Sequence, residues 1–267
     1  MEGNMSQQEK VQSNSIPLPE TEIQLPSKGL LYNSKIPNGL VTLRPYTTVE
    51  ETILANGRGG SGTKLISTIL SRCIVKPQID PRELLITDRF YLMLVLRAIS
   101  YNTAYNFKVE CERCSTMFTH YVDPQKDLKV KELADGVTEP FKLNLPMSKS
   151  VLEVQFLRAT DEEAIETYTA QKLQKRIQEG DPGYMYTMAR QIASWDGETD
   201  GLTILARVER MIAGDAMALR DAIEDNECGV DTDLEVLCPK CGHINELSMP
   251  ITADFFRPRR SKHDRHS

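Results

Sequence analysis

Two patterns of hydrophobic positions alternate along this chain. From Asp88 to Asn102 (DRFYLMLVLRAISYN) apolar residues fall on nearly every face of a helical wheel, which predicts a central buried helix over 88–99. The stretch that follows, FKVECERCSTMFTHYV, reads as strand, Cys-x-x-Cys turn, strand, and LEVLCPKCGHINELSM near the C-terminus reads the same way. Upstream, short apolar runs between Ile23 and Tyr46 are broken by Pro26, Gly29, Pro37 and Asn38-Gly39. The Asn-Gly pair predicts a hairpin or tight turn between LLYNSK and LVTLRP. Thr48-Val49-Glu50-Glu51 predicts a capping box, in which hydroxyl and carboxylate satisfy each other's free backbone amides at a helix start. That helix stops at Asn56-Gly57, and helical spacing resumes near Lys64 (LISTILSRCIV).

After a linker over 123–142 the pattern starts again. Leu25-Pro26-Ser27-Lys28 is echoed by Leu145-Pro146-Met147-Ser148-Lys149, and a strand ending in Leu43-Arg44 by one ending in Leu157-Arg158. The box at Thr48 is echoed by Thr160-Asp161-Glu162-Glu163, and each half closes on a Cys-x-x-Cys hairpin. The expected fold is α+β, with two similar half-modules at 23–122 and 143–256. Each consists of a β-hairpin, a helical group and a zinc knuckle, joined through one zinc-ribbon-like site of four cysteines. The second half is longer, and its surplus predicts an added helix between Gly180 and Asp225, where TMARQIASW and LARVERMIAG carry helical spacing. Residues 1–22 read as a disordered polar arm and 257–267 as a basic tail.

Composition narrows the class. A chain of 267 residues makes one or two domains, and 40% hydrophobic with 26% charged residues is ordinary for a globular protein. A net charge of −6 argues against a general nucleic-acid binder. The first twenty residues lack the apolar core of a secretory signal. The longest apolar run, Phe90 to Leu96, is far short of the roughly 20 residues a membrane span needs. A protein folding in a cytosol is expected, and there six cysteines point to metal or catalysis instead of disulfides.

Four of the six form the pairs Cys111/Cys114 and Cys238/Cys241; Cys73 and Cys228 read as ordinary buried thiols. A Cys-x-x-Cys turn offers a cation two thiolates, so one pair cannot complete a tetrahedron and each needs the other. Pro239 and Gly242 suit the second turn, the glycine by permitting positive φ. Four thiolates leave no position for water, which predicts one structural, non-hydrolytic Zn2+. His120 and His243 are weaker alternative ligands, and a redox dithiol is disfavoured because such pairs usually open a helix.

Other motifs carry less. Gly57-Arg58-Gly59-Gly60-Ser61-Gly62-Thr63-Lys64 imitates a phosphate loop, but Thr63 precedes Lys64 and the segment follows a helix, so no nucleotide site is expected. Glu50-Glu51 and Asp161-Glu162-Glu163 read as first-turn acids facing helix dipoles. No nucleophile–base arrangement can be assembled. A zinc-ribbon adaptor for RNA or DNA is the rival reading; Arg113, His120, Tyr121 and Lys240 favour it, and Glu110, Glu112, Glu235 and Glu246 offset them.

LPSKG, LRPYTTVEE, DRFYLMLVLRAISYN with the Cys-x-x-Cys after it, and the closing Asp254-Phe255-Phe256-Arg257-Pro258 carry a family likeness. At these residues the chain resembles the baseplate hub subunit family of contractile-tailed (T-even-like) bacteriophages, over about Ile23 to Phe156 plus that ending. The resemblance implies a virion structural or assembly protein at the centre of the tail baseplate, put together in the host cytoplasm. It implies contacts with other hub proteins and the end of the tape measure protein, and no enzymatic activity; neither a membrane nor a small-molecule substrate is expected. The second knuckle and the basic tail lie outside what it covers.

Overall fold

The computed structural model describes residues 18–56, 62–101, 104–124, 126–175, 181–250 and 255. The expected arm up to residue 17, most of the glycine-rich loop and the basic tail lie outside the described residues. In the first half, β1 (Thr21–Gln24) pairs antiparallel with β2 (Leu40–Leu43). Helices α1 (Thr48–Asn56) and α2 (Gly62–Cys73) follow, and β3 (Ile74–Lys76) returns to the free side of β2. Next come α3 (Ile86–Tyr101) and the hairpin of β4 (Tyr105–Glu110) with β5 (Met117–Val122). β6 (Lys129–Lys131) leads into the second half, where β7 (Phe141–Asn144) and β8 (Val151–Val154) pair antiparallel. Helices α4 (Ala159–Lys175) and α5 (Pro182–Arg190) precede β9 (Ile192–Trp195), which again pairs with the middle strand. The chain continues through α6 (Gly201–Val208), α7 (Ala213–Asn226) and β10 (Gly229–Asp231), the partner of β6. It ends in the hairpin of β11 (Asp233–Leu237) and β12 (Ile244–Ser248). The fold is α+β and the half-modules are similar, with α6 as the added helix.

Repeated hydrogen bonds show how far the similarity goes. Leu25 N–H donates to the Gly39 carbonyl across the first hairpin, and Leu145 N–H to that of Ser150 across the second. Just past the middle strands, Arg44 N–H reaches the Cys73 carbonyl and Gln155 N–H that of Gln191. The third residue of α3, Asp88, accepts the Ser27 amide at 3.1 Å, and the third residue of α7, Asp215, accepts the Met147 amide at 2.7 Å. Buried carboxylates there face a helix N-terminus and tie it to the sheet.

These bonds also correct the register read from sequence. Leu43-Arg44 corresponds to Val154-Gln155, not Leu157-Arg158. The caps sit one residue earlier or more than expected: Glu50 accepts the Thr47 amide, and Asp161 accepts the Arg158 amide. Both acids are buried and then bridge to the end of the next helix, Glu50 to Arg72 at 2.7 Å and Asp161 to Arg190. LLYNSK is an irregular loop, since β1 supplies the other strand of the first hairpin. Gly39 closes that loop at φ +68°, with its missing Cβ position 2.4 Å from the Lys28 carbonyl carbon. TMARQIASW divides into the end of α5 and the strand β9.

Three apolar clusters hold these parts. One gathers Leu25, Tyr32, Ile36, Leu43 and Leu70 against Leu92, Met93 and Leu96. A second gathers Leu145, Leu152, Trp195, Ile204 and Leu219. The third lies under the two cysteine hairpins and joins Leu94, Tyr105, Val109, Val122, Val236, Met249 and Phe255. Helix α3 serves the first and third clusters from opposite sides, which is why its sequence is apolar all round.

Candidate metal centre

Both cysteine turns are built alike. In the first, Ser115 N–H donates to the Cys111 carbonyl and Cys111 N–H to that of Thr116; in the second, Gly242 to Cys238 and Cys238 to His243. The residue after each second cysteine has positive φ, +51° at Ser115 and +68° at Gly242. Glycine suits that position, and the serine holds the same turn without it. The turns are presented by β4–β5 and β11–β12, so two hairpins distant in sequence bring their tips together over the third apolar cluster.

All four sulfurs lie within 4.8 Å of one another. Cys111 and Cys241 are 3.7 Å apart, and so are Cys114 and Cys238. Exchange of the two halves converts one of these pairs into the other, so the equal distances place the cluster on an approximate twofold relation. Four thiolates about 2.3 Å from one tetrahedral cation would be separated by about 3.8 Å, whereas a disulfide needs sulfurs about 2 Å apart. The donor set therefore fits a single tetrahedral metal ion. Cys111 and Cys238 are buried; Cys114 and Cys241 are partly exposed.

Local donors prepare the sulfurs for charge. The Thr116 hydroxyl, 3.2 Å from the Cys114 sulfur, and the Thr116 amide hold that thiol down at about 6. Burial pushes the Cys238 thiol up, and the Cys241 and Lys240 amides more than reverse it. At Cys241 the His243 amide pulls down, but burial and the three neighbouring sulfurs push it up to about 12. Several thiolates this close repel one another, and a cation among them would relieve that repulsion.

Of the expected alternatives, His120 stacks edge-on against Phe107 with ring centroids 5.8 Å apart, and neither it nor His243 joins the metal-binding group. Cys73 and Cys228 are buried in the first apolar cluster, outside the metal-binding group, and burial pushes their thiols up to about 11 and about 12. Thr63 donates its hydroxyl to Glu166 Oε1 at 2.8 Å, and its carbonyl accepts from Arg89. The rest of the glycine-rich segment, 57–61, lies outside the described residues.

Two supporting residues escaped the sequence reading. Asn245 is buried beneath the cluster; its Oδ1 accepts the Glu112 amide and its Nδ2 donates to the Val236 carbonyl, each at 3.0 Å. It joins the first turn to the second hairpin. At the position equivalent to Glu112 the second turn has Pro239, which has no amide to satisfy, and the residue equivalent to Asn245 is Phe118. Only Pro239 hinted at this asymmetry. Arg97, buried on α3, donates its Nε to the Phe255 carbonyl at 2.8 Å and lies over the Phe255 ring at 5.0 Å. It holds Phe255 in the cluster beneath the hairpins.

The family model described as T4 bacteriophage base plate protein matches residues 20–257, spanning both cysteine hairpins. No curated protein and no solved structure matches the chain.

Proposed function

We propose that the chain, which belongs to the T4 bacteriophage base plate protein family, is a non-enzymatic structural or assembly subunit of the tail baseplate hub, stabilised by one structural zinc. The observation that carries the metal reading is the set of four sulfurs, two from each half, all within 4.8 Å of one another and with the two pairs across the halves 3.7 Å apart. Zinc suits it because four soft thiolates in a tetrahedron are its usual structural site. All four positions are taken by protein, so no water or substrate is activated there. The ion would supply a cross-link between the hairpins of the two halves, which also meet through the third apolar cluster and the backbone bonds of 84–86 with 157–159. Residues 23–122 and 143–256 would act as one rigid block, with 123–142 strapped across them by β6 and by Leu133, whose amide donates to the Pro26 carbonyl.

A block with fixed surfaces suits a subunit whose work is to hold neighbours in register. The partners we infer are other hub proteins and the tape measure protein. Assembly would take place in the host cytoplasm, before the subunit reaches the tail; no helix among the described residues is long and apolar enough to cross a membrane. Pull-down with individually purified hub proteins, metal-loaded and after chelation, tests this reading. Metal-dependent binding to at least one of them is expected. A chain that binds none, yet shifts a short oligonucleotide, would favour the adaptor reading instead.

A further inference from the structure

The two halves treat one equivalent edge differently. In the first, the backbone just before α3 is covered. Ile86 N–H donates to the Leu157 carbonyl at 3.0 Å, Ala159 N–H donates to the Leu84 carbonyl at 3.3 Å, and Leu85 bridges to Arg158. The long loop between β1 and β2 lies over the same place, where the Tyr32 hydroxyl accepts the Leu85 amide and donates to Asp88. Leu85 is left 2% exposed.

Before α7 the counterparts are Met211, Ile212 and Ala213. The β7–β8 loop is much shorter than the β1–β2 loop, and among the described residues no strand pairs with them. Among the described residues the Met211 carbonyl and the Ala213 amide have no hydrogen-bond partner, and Ile212 is 52% exposed. Beside this edge lies a groove of about 430 Å³ lined by Ser148, Trp195, Thr203, Arg207, Arg210 and Ile212. Met147, 59% exposed, extends the apolar rim over Gly214. The charge of the groove is basic. The Arg210 guanidinium makes no ion pair or hydrogen bond among the described residues, Arg207 lies over Trp195 and donates to its carbonyl, and Asp215 is already engaged by the Met147 and Ser148 amides.

We propose that this edge receives an extended, acidic segment of another base plate protein. The segment would bond to the Met211–Ala213 backbone as residues 157–159 bond to 84–86, set an apolar side chain against Ile212 and Met147, and bring carboxylates to Arg207 and Arg210. Backbone pairing gives such a strand its alignment, and the side-chain pocket and charges give it selectivity. The assignment rests on the reading of the chain as a baseplate subunit.

The test measures binding of individually purified base plate proteins of the same virus, and of 15-residue peptides tiled across them, to the metal-loaded full chain. Wild type is compared with Ile212→Asp, Arg210→Glu and, as a control on the covered half, Leu30→Asp. All three positions are exposed, and thermal midpoint and metal content verify each fold. The expected result is one partner whose affinity falls at least ~10-fold with either groove variant and not with Leu30→Asp. It should map to a peptide bearing apolar and acidic residues, whose Glu→Lys version regains affinity for Arg210→Glu. Equal binding by wild type and groove variants would overturn the groove and leave the subunit reading intact; no binding by wild type would overturn both. Groove variants that instead alter self-association in sedimentation, or weaken binding of a 20-nucleotide probe, would assign the edge to a second copy or to nucleic acid and refute the proposal.

Discussion

Replacing Asn245 by alanine tests how the first cysteine turn is held. The change removes two hydrogen bonds of 3.0 Å, a part-buried one from the Glu112 amide and a buried one to the Val236 carbonyl. Leaving two such groups without a partner costs about 1–3 kcal/mol each, so a loss of about 2–4 kcal/mol is expected after partial relaxation. For a chain of this size that corresponds to a fall of about 4–10 °C in Tm. Because Glu112 lies between two candidate ligands, the turn should also lose preorganisation, lowering metal affinity about 10–100-fold. Urea unfolding of the metal-loaded protein measures the first quantity, and competition against a chromophoric chelator measures the second. Asn245→Asp separates the two bonds: it keeps the oxygen that accepts the Glu112 amide and loses the donor to Val236. It should retain more metal affinity than Asn245→Ala while still being destabilised. A stability change under about 0.5 kcal/mol with unaltered affinity in Asn245→Ala would refute the role given to this side chain.

Other expectations can be checked on the same material. Cys114→Ser and Cys241→Ser should each lower metal-dependent stability severely, because binding free energy at such a site is also folding free energy, and chelator should no longer shift their melting curves. Burial alone would raise the Glu50 carboxyl, but Arg44, Thr47 and Arg72 hold it far below the usual carboxylate range. Its stabilisation is therefore complete above the unfolded-state value near 4.3 and is lost as pH falls below it. Glu50→Gln should cost about 2–4 kcal/mol at pH 7, with the gap from wild type narrowing below about pH 4; a gap independent of pH would contradict this. Gly39→Ala, at φ +68° and 2.4 Å from backbone, should destabilise by about 2–4 kcal/mol in thermal melts. Labelled ATP should not bind measurably, since the Thr63 hydroxyl is engaged by Glu166; binding abolished by Lys64→Ala would contradict that.

The sequence made the cysteine turns, the buried α3 and the order of elements in both halves legible, because each rests on local chemistry. A Cys-x-x-Cys turn with Gly242, an all-apolar helix and a Leu-Pro corner can be read from a few neighbours. What it hid depends on distant partners. The echo was misaligned by three residues at the middle strands, because the true equivalence is fixed by where Arg44 and Gln155 find their carbonyl partners, Cys73 and Gln191. Glu50 and Asp161 read as first-turn acids facing helix dipoles, yet each carboxylate is buried and paired with an arginine at the end of the following helix. Asn245 looked like any polar strand residue, and its task appears only once the other hairpin supplies an amide. The open edge at Ile212 could be seen only by superposing two halves that differ in loop length.

The central claim is that one metal ion, zinc, ties the two halves together through Cys111, Cys114, Cys238 and Cys241. Elemental analysis of the purified full chain, paired with the same measurement on Cys111→Ser/Cys238→Ser, tests it most directly. The account predicts one zinc per chain in the wild type and none in the double variant, which removes one ligand from each turn. Wild type without zinc, wild type with two ions per chain, or a double variant that keeps its zinc would contradict it.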